Sequence, residues 1–558
     1  MFNNNKILVV IPARGGSKRI HRKNIRLLAD KPLISYAIDI AKSSKYVDDV
    51  VVSTEDSETA SISEKFGASV VRRSPDLAGD QIPVDPVVYD ATVQKEKIAF
   101  DEYDIVITLQ TTSPLLKTET LDKAIEKFEN FDVDTVISVV GNKHLSWGFN
   151  GEDNRYFPLY SERLSLQHLP MEYVETGGIF ATRRSFITPN SRLGNNVDLI
   201  EISQEESINI VSYEDWWVAE RYINRKKIAM IVNANDDTGF GPIQRCVSLA
   251  SRLLSDNVLF FIDENYPLGV DFVKSFNFPF KLYDGNNDLF DKLNEFNPKI
   301  VVNDVFDTTK EYVSHLKELG FFVINFEDLG EGSQDADVVF DSLYEHDGGF
   351  GNIFSGYKYY LLRDEFYFQP KKVVGPDVDD VLIAIGRNDS NNLTEKVLES
   401  VLASGYSGRI DVILPFNYQY GEELIQKYES NNNVQIYRNS VENISAFMLR
   451  ADIIFSSASR KMYEICSVGT PCICICQNGR EQTHDFASSE NGFINMGLVD
   501  TISNENITDQ FKIVWQNFEL RQNMSNLMKN VDLKHGFENI WSVVEQRYWA
   551  RDFEQQKH

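Results

Sequence analysis

Short, largely apolar runs recur along the chain, and stretches of helical periodicity separate them. Parallel strands buried on both faces read as such runs, and each needs a crossover before the next strand. The pattern therefore commits the chain to α/β folding with mostly parallel sheets. In the first third the runs fall at 7–11, 50–52, 69–71, 104–109 and 135–140. Pro32 opens a helix between the first two, with Leu33, Tyr36, Ala37, Ile40 and Ala41 on one face. Thr54 is placed to cap the next helix and Gly67 to end it. Residues 141–175 interrupt the alternation. They are polar and aromatic, with Trp147, Tyr156, Tyr160 and Tyr173, and read as a lid, a dimerisation arm or a plain surface excursion. Strand signals resume at 178–182 and 199–202.

A charged junction at 221–227 precedes a fresh α/β unit. Its strands are expected at 228–233, 258–262, 300–303, 322–325 and 338–340, with a turn at 236–241. A helix follows that turn, with Ile243, Cys246, Val247, Ala250 and Leu254 on one face. Residues 369–376 read as a linker, and a third unit runs through strands at 381–385, 412–414, 434–437, 453–456 and 472–476. At 558 residues the chain is long enough for about three domains. They are placed at 1–225, 228–368 and 378–548, the last two forming a pair of Rossmann-like halves suited to a nucleotide sugar. On a strand, Cys472, Cys474 and Cys476 share one face. With Cys246 and Cys466 they form no CxxC pair, so reduced, buried thiols are expected rather than a zinc site.

The net charge of −27 excludes a general nucleic-acid binder and docking on anionic lipid, both of which need a basic footprint. Against that background one segment stands apart. From Arg14 to Arg26 lie six bases, Arg14, Lys18, Arg19, Arg22, Lys23 and Arg26, with no acid among them. The segment follows the first strand, where open α/β sheets bind ligands. Gly15 and Gly16 allow close approach of backbone N–H groups to phosphate, and Ser17 adds a hydroxyl. Arg14 and Lys23 carry charge to offset a triphosphate and its departing pyrophosphate. The P-loop pattern is absent. The start of the chain has no signal-peptide character, and no apolar run approaches the roughly 18 residues of a membrane span, so a cytoplasmic location is expected.

The string Ile11-Pro-Ala-Arg14-Gly-Gly-Ser17-Lys-Arg-Ile20 resembles the signature of CMP–sialic acid synthetases, the acylneuraminate cytidylyltransferases. Its Ser-Lys-Arg-Ile variant resembles the members that activate pseudaminic or legionaminic acid. Further matches follow in order: Val52-Ser-Thr-Glu-Asp56, Arg73-Ser-Pro-Asp-Leu-Ala-Gly-Asp80, Leu109-Gln-Thr-Thr-Ser-Pro114, Gly177-Gly178 and Glu214-Asp-Trp216. The resemblance spans about residues 5–222 and implies a Rossmann-like nucleotidyltransferase domain. The implied reaction transfers CMP from CTP to the anomeric hydroxyl of a nonulosonic acid, with Mg²⁺ balancing charge. It further implies that Arg14, Gly15, Gly16, Ser17, Lys18, Lys23 and Asn24 hold the nucleotide and its phosphates. Arg73 and Asp80 are implied near the cytidine, and Gln110, Ser113, Gln167 and Tyr173 at the sugar acid. Arg14, Lys23 and Gln110 are then the catalytic candidates, and a homodimer is implied through the 141–175 arm. Two departures stand out. Where the family carries an Asp-Ile-Asp metal stretch, this chain has Asn209 and Val211, which leaves Asn209 and Asp215 as candidate ligands. After Thr-Ser-Pro, Leu115 and Leu116 precede Lys117.

Residues 228–500 resemble the nucleotide-sugar hydrolase of pseudaminic acid biosynthesis, which implies a two-lobed unit like glycosyltransferases of the B fold. The matches are Thr238-Gly-Phe-Gly241, Arg245, Asp304, 359–365, Asn391-Asn-Leu-Thr394, 451–454, Glu464 and Gly469-Thr-Pro471. Where that family has histidine after its glycine turn, Pro242 follows Gly241, and proline cannot move a proton. Its second glycine-rich turn reads Ser457-Ala-Ser-Arg-Lys461 here. Gly241, Glu464 and His484 are the candidate nucleotide-sugar site, and this half is expected to bind a nucleotide sugar weakly, regulate or assemble, and not to hydrolyse. Two alternatives remain open at this point: an active hydrolase or glycosyltransferase in this half, and a non-catalytic nucleotide-sugar-binding protein.

Overall fold

A computed structural model describes residues 2–79, 81–233, 241–266, 268–305, 307–344, 351–386, 389, 391–414, 418–438 and 443–555. The chain divides into two compact units, 1–225 and 226–558.

The first unit is built on seven strands, in the order Val197–Glu201, Thr135–Asn142, Glu172–Arg183, Ile105–Leu109, Ile7–Pro12, Asp49–Thr54, Ser69–Arg72. All pairs are parallel except those of Glu172–Arg183, which runs against both neighbours. The chain moves outward from Ile7–Pro12 to one side, then returns to its other side at Ile105–Leu109. That reversal is a topological switch point, and the loops leaving the carboxyl ends of these two strands flank its crevice. Helix Leu33–Ser43 covers one face, but it buries more than a single stripe. Ile34 and Ile38 are as buried as Leu33, and Tyr36 is only partly covered, because the helix is wedged between the main core and a smaller one. The expected Thr54 cap is corrected: the strand runs on through Thr54, and the Asp56 carboxylate accepts from the Thr59 amide instead. The 141–175 interruption begins and ends in strand and carries a hairpin, Trp147–Asn150 paired with Arg155–Pro158.

The second unit holds two sheets. The first orders Phe280–Tyr283, Asn257–Asp263, Lys227–Val232, Ile300–Asp304, Phe322–Phe326, Val338–Asp341, Ile353–Ser355, and the second Val434–Tyr437, Arg409–Ile413, Asp380–Ile383, Ile453–Ser456, Cys472–Cys476, Phe493–Leu498. Both are wholly parallel; the second has the 3-2-1-4-5-6 order of doubly wound nucleotide-binding folds, and the first has that order with Ile353–Ser355 added as a seventh strand. Strands Phe280–Tyr283, Ile353–Ser355 and Phe493–Leu498 were not expected. All are short edge or near-edge strands whose residues are partly exposed, so their apolar signal is diluted. Helix Gly241–Ala250 stops a turn early, which leaves Leu254 exposed and Leu249 and Leu253 buried in its place. The thiols of Cys472, Cys474 and Cys476 enter one core, while Ile473 and Ile475 enter another. All five cysteines are free and buried. The final helix, Gly536–Gln555, returns to the first lobe, where Ile540 and Val544 join the core of Ile228 and Met230.

Candidate active site

The basic segment is anchored from below. Ile20 is fully buried with Leu28, Leu33, Ile210, Trp216 and Ala219, so the loop is pinned at its middle while Lys18 and Arg19 stay exposed. Arg26 lies over the rings of Tyr213 and Trp216. Two side chains tie the loop to its neighbours. Buried Asn24 donates to the Arg14 carbonyl at 2.9 Å and accepts from the Thr111 hydroxyl at 2.7 Å. Lys23 donates from Nζ to the Ile210 carbonyl at 3.0 Å, and the Ile210 amide donates to the Thr112 carbonyl. The loop, the end of strand Ile105–Leu109 and the segment before helix Tyr213–Ile223 thus close on one crevice.

Charge is concentrated there. Burial, then the nearby Arg14 and Arg19, lowers the Lys23 pKa to about 8, with Asp215 opposing. Burial also lowers that of Arg73, whose guanidinium donates to the Ser53 carbonyl at 2.7 Å and feels both Glu55 and Arg14. Glu55, which sequence reasoning missed, accepts the Gly15 amide at 2.7 Å through one oxygen and buries the other without a partner. The Gly15 N–H is therefore committed to a carboxylate in this structure. A Cβ at Gly15 would lie 2.7 Å from that of Asp56, whereas one at Gly16 would meet nothing. Gly15 is thus fixed by packing, and Gly16 is the open backbone of the loop.

Gln110 and Ser113 sit opposite an irregularity in strand Glu172–Arg183, whose register shifts between Glu175 and Phe180. Gly177, at φ +73°, makes the shift possible; a Cβ there would stand 3.2 Å from Gln110 Nε2, and one on Gly178 would stand 3.6 Å from Ser113 Oγ. Tyr173 and Gln167 are exposed further along the arm, Gln167 on the turn Leu166–His168. Asp80 lies outside the described residues.

Of the candidate metal ligands, Asp215 is engaged in structure through one of its oxygens. Asp215 closes a capping box, its Oδ2 accepting from the Val211 amide at 2.9 Å, the Ser212 amide at 2.8 Å and the Ser212 hydroxyl at 3.1 Å. Burial works against its ionised form, but those amides outweigh it and hold the carboxyl below its ordinary range. Asn209 donates to the Thr176 carbonyl at 3.4 Å, and Val211 is exposed. Among the described residues no cluster of three or more His, Cys, Asp or Glu side chains is placed to hold a metal.

In the second unit the turn before Gly241 lies outside the described residues apart from Gly241 itself. A Cβ on Gly241 would lie 2.7 Å from Nη1 of Arg460, which belongs to the other lobe. Glu464 is buried and paired with Arg363 at 2.6 Å. His484 shares its Nδ1 hydrogen with the Ala458 carbonyl at 2.6 Å and meets the Tyr344 ring edge-on, with Nε2 buried and unpartnered. Burial lowers its pKa, which keeps the imidazole neutral. Arg245 makes a two-pronged bond to Asp304 and a third to Glu327, whose backbone is left-handed at φ +52°. Glu327 carried no signal in sequence.

A cytidylyltransferase family model matches residues 8–150. The CMP-N,N'-diacetyllegionaminic acid synthase of Legionella pneumophila is 34% identical over 234 residues, which is 40% of this chain and 100% of that protein. An uncharacterized protein of Methanocaldococcus jannaschii is 28% identical over 272 residues, 45% of this chain, and the match spans only 56% of that relative. The solved structure of MurG from Acinetobacter baumannii overlaps 58% of this chain and 99% of its own at 14% identity and a TM-score of 0.44, so the two-lobed architecture rests on the sheet orders. The chain belongs to the cytidylyltransferases through its first unit. Its relatives there are cytidylyltransferases for sialic, legionaminic and pseudaminic acids, and enzymes of this kind generally use a divalent metal.

Proposed function

We propose that the first unit transfers CMP from CTP to a nonulosonic acid of the neuraminic, legionaminic or pseudaminic type. The anomeric oxygen attacks the α-phosphorus, the bond from that phosphorus to the β-phosphate bridging oxygen breaks, and the hydroxyl proton passes to solvent as pyrophosphate leaves. The observation that carries this reading is the closure of the basic loop on the switch point by Lys23–Ile210 and Asn24–Thr111. On it rests the proposal that Arg14, Ser17, Lys18 and Lys23 meet the triphosphate and that Gln110 and Ser113 face the acceptor acid. Arg73 then borders the nucleoside. Fixed cations aimed at charge that develops on a leaving group are the main source of rate in such transfers. A homodimer through the exposed arm and a cytoplasmic location belong to the same proposal. No helix among the described residues is long and apolar enough to cross a membrane.

The second unit, on this reading, binds a nucleotide sugar without hydrolysing it. Pro242 stands in the first turn of its helix, and His484 is held neutral with one nitrogen spent on Ala458. The test is pyrophosphate release from CTP across a panel of neuraminic, legionaminic and pseudaminic acids with Mg²⁺ or Mn²⁺. Release with one acid is expected. Silence with every acid and metal, alongside nucleoside diphosphate release from nucleotide sugars, would transfer the chemistry to the second unit.

A further inference from the structure

We infer that the transfer site keeps no divalent ion of its own, and that the Lys23 ammonium is its resident cation. The inference rests on the reading that CTP is the nucleotide. Divalent magnesium selects hard carboxylate oxygens in octahedral array. The segment that closes the crevice offers far less. Asn209 contributes a neutral amide whose Nδ2 is turned to the Thr176 carbonyl, Val211 contributes no side-chain donor, and one oxygen of Asp215 takes three donors from Val211 and Ser212, just before the helix. Turning that oxygen to a metal would leave the Val211 and Ser212 amides unpaired at a helix start, so Asp215 has at most its other oxygen to offer, a single carboxylate donor.

The same segment presents its Ile210 carbonyl to Lys23 Nζ at 3.0 Å, and Lys23 lies within electrostatic reach of Asp215. A monovalent, covalently tethered cation therefore sits on the segment that would have to carry the ion. It is flanked by Arg14 and Arg19, so adding a divalent ion beside it would meet like charge. Metal then enters only as the counter-ion that CTP brings in solution. The site is specialised for the nucleotide–metal complex as one ligand, with phosphate charge met by Lys23 and Arg14.

Two measurements test this on the whole chain. Free Mn²⁺ is followed by its electron paramagnetic resonance signal while protein without nucleotide is added. Wild type is expected to leave the signal unchanged, and the N209D/V211D double variant to bind Mn²⁺ at least about tenfold more tightly, as two added carboxylates would. Tight Mn²⁺ binding by wild type overturns the inference, and so does a folded double variant that gains nothing. CTP affinity is then measured by calorimetry in EDTA and in Mg²⁺. Lys23→Met is expected to weaken CTP by about tenfold or more in both, the scale of a charge-assisted hydrogen bond, with Lys23→Arg recovering most of it. A Lys23→Met protein that binds CTP like wild type in Mg²⁺ overturns the role given to Lys23. Absence of CTP binding under every condition sinks the proposed function instead and leaves the Mn²⁺ result standing on its own.

Discussion

At the scale of single residues, the most informative group is Lys23. Its pKa is lowered to about 8 by burial first and by Arg14 and Arg19 second. On the proposed reading its protonated form meets phosphate; that charge is complete well below pH 8 and is lost as pH rises through it. CTP affinity should accordingly fall above about pH 8, and binding there should take up a proton, because bound phosphate favours the ammonium. Calorimetry in buffers of different ionisation enthalpy reads that uptake directly; no proton uptake near pH 8.5 would show that Lys23 does not meet the phosphates. Part of this residue's environment was legible in sequence. Six bases without an acid, in a chain of charge −27, mark the loop as exceptional. What holds Lys23 in place was not legible, since Ile210 is 187 residues away and contributes only a backbone oxygen. Glu55 was equally hidden. It lies inside a recognised motif, yet nothing in its spacing says that it holds the Gly15 amide.

At the scale of elements, strands that carry a continuous apolar run were readable, whereas three of the six edges of the large sheets, Phe280–Tyr283, Ile353–Ser355 and Phe493–Leu498, were not. The run Cys472–Cys476 shows why: period-two alternation sends cysteines to one core and isoleucines to the other, whatever surrounds them. Helix starts were harder, because Thr54 and Asp56 are both capping residues, and only the length of strand Asp49–Thr54 decides between them. Asp56→Ala should cost about 1 kcal/mol by denaturant unfolding. The irregularity in strand Glu172–Arg183 is the element-scale feature nearest the chemistry. Gly177→Ala puts a side chain into a left-handed backbone, strain worth about 1 kcal/mol, and presses on Gln110. The expected outcome is a raised KM for the acceptor acid with CTP affinity nearly unchanged, since the loop proposed to meet CTP is on the other side of the switch point. An equal loss for both substrates would show that Gln110 does not face the acid.

At the scale of the molecule, the cores do not mix. Every residue of the three clusters that stabilise the first unit precedes 226, and every residue of the other four follows it. Domains that share no core unfold as separate cooperative units, so calorimetry of the full chain should resolve at least two transitions. Within the second unit the last helix ties the chain's end to its first lobe. Ile540 and Val544 lie in the core begun at Ile228, while Arg551 donates to the Phe321 and Gly320 carbonyls and pairs with Asp337. Ending the chain before Gly536 would uncover that core. Two buried aliphatic side chains alone contribute about 3–6 kcal/mol, a large fraction of a typical domain's net stability. The transition of the second unit should fall by many degrees or disappear, while that of the first stays where it was. Both transitions moving together would mean that the units stabilise one another through contacts beyond their separate cores. An unmoved pair would mean that Gly536–Gln555 is ornamental to the fold, against the burial of its inner face.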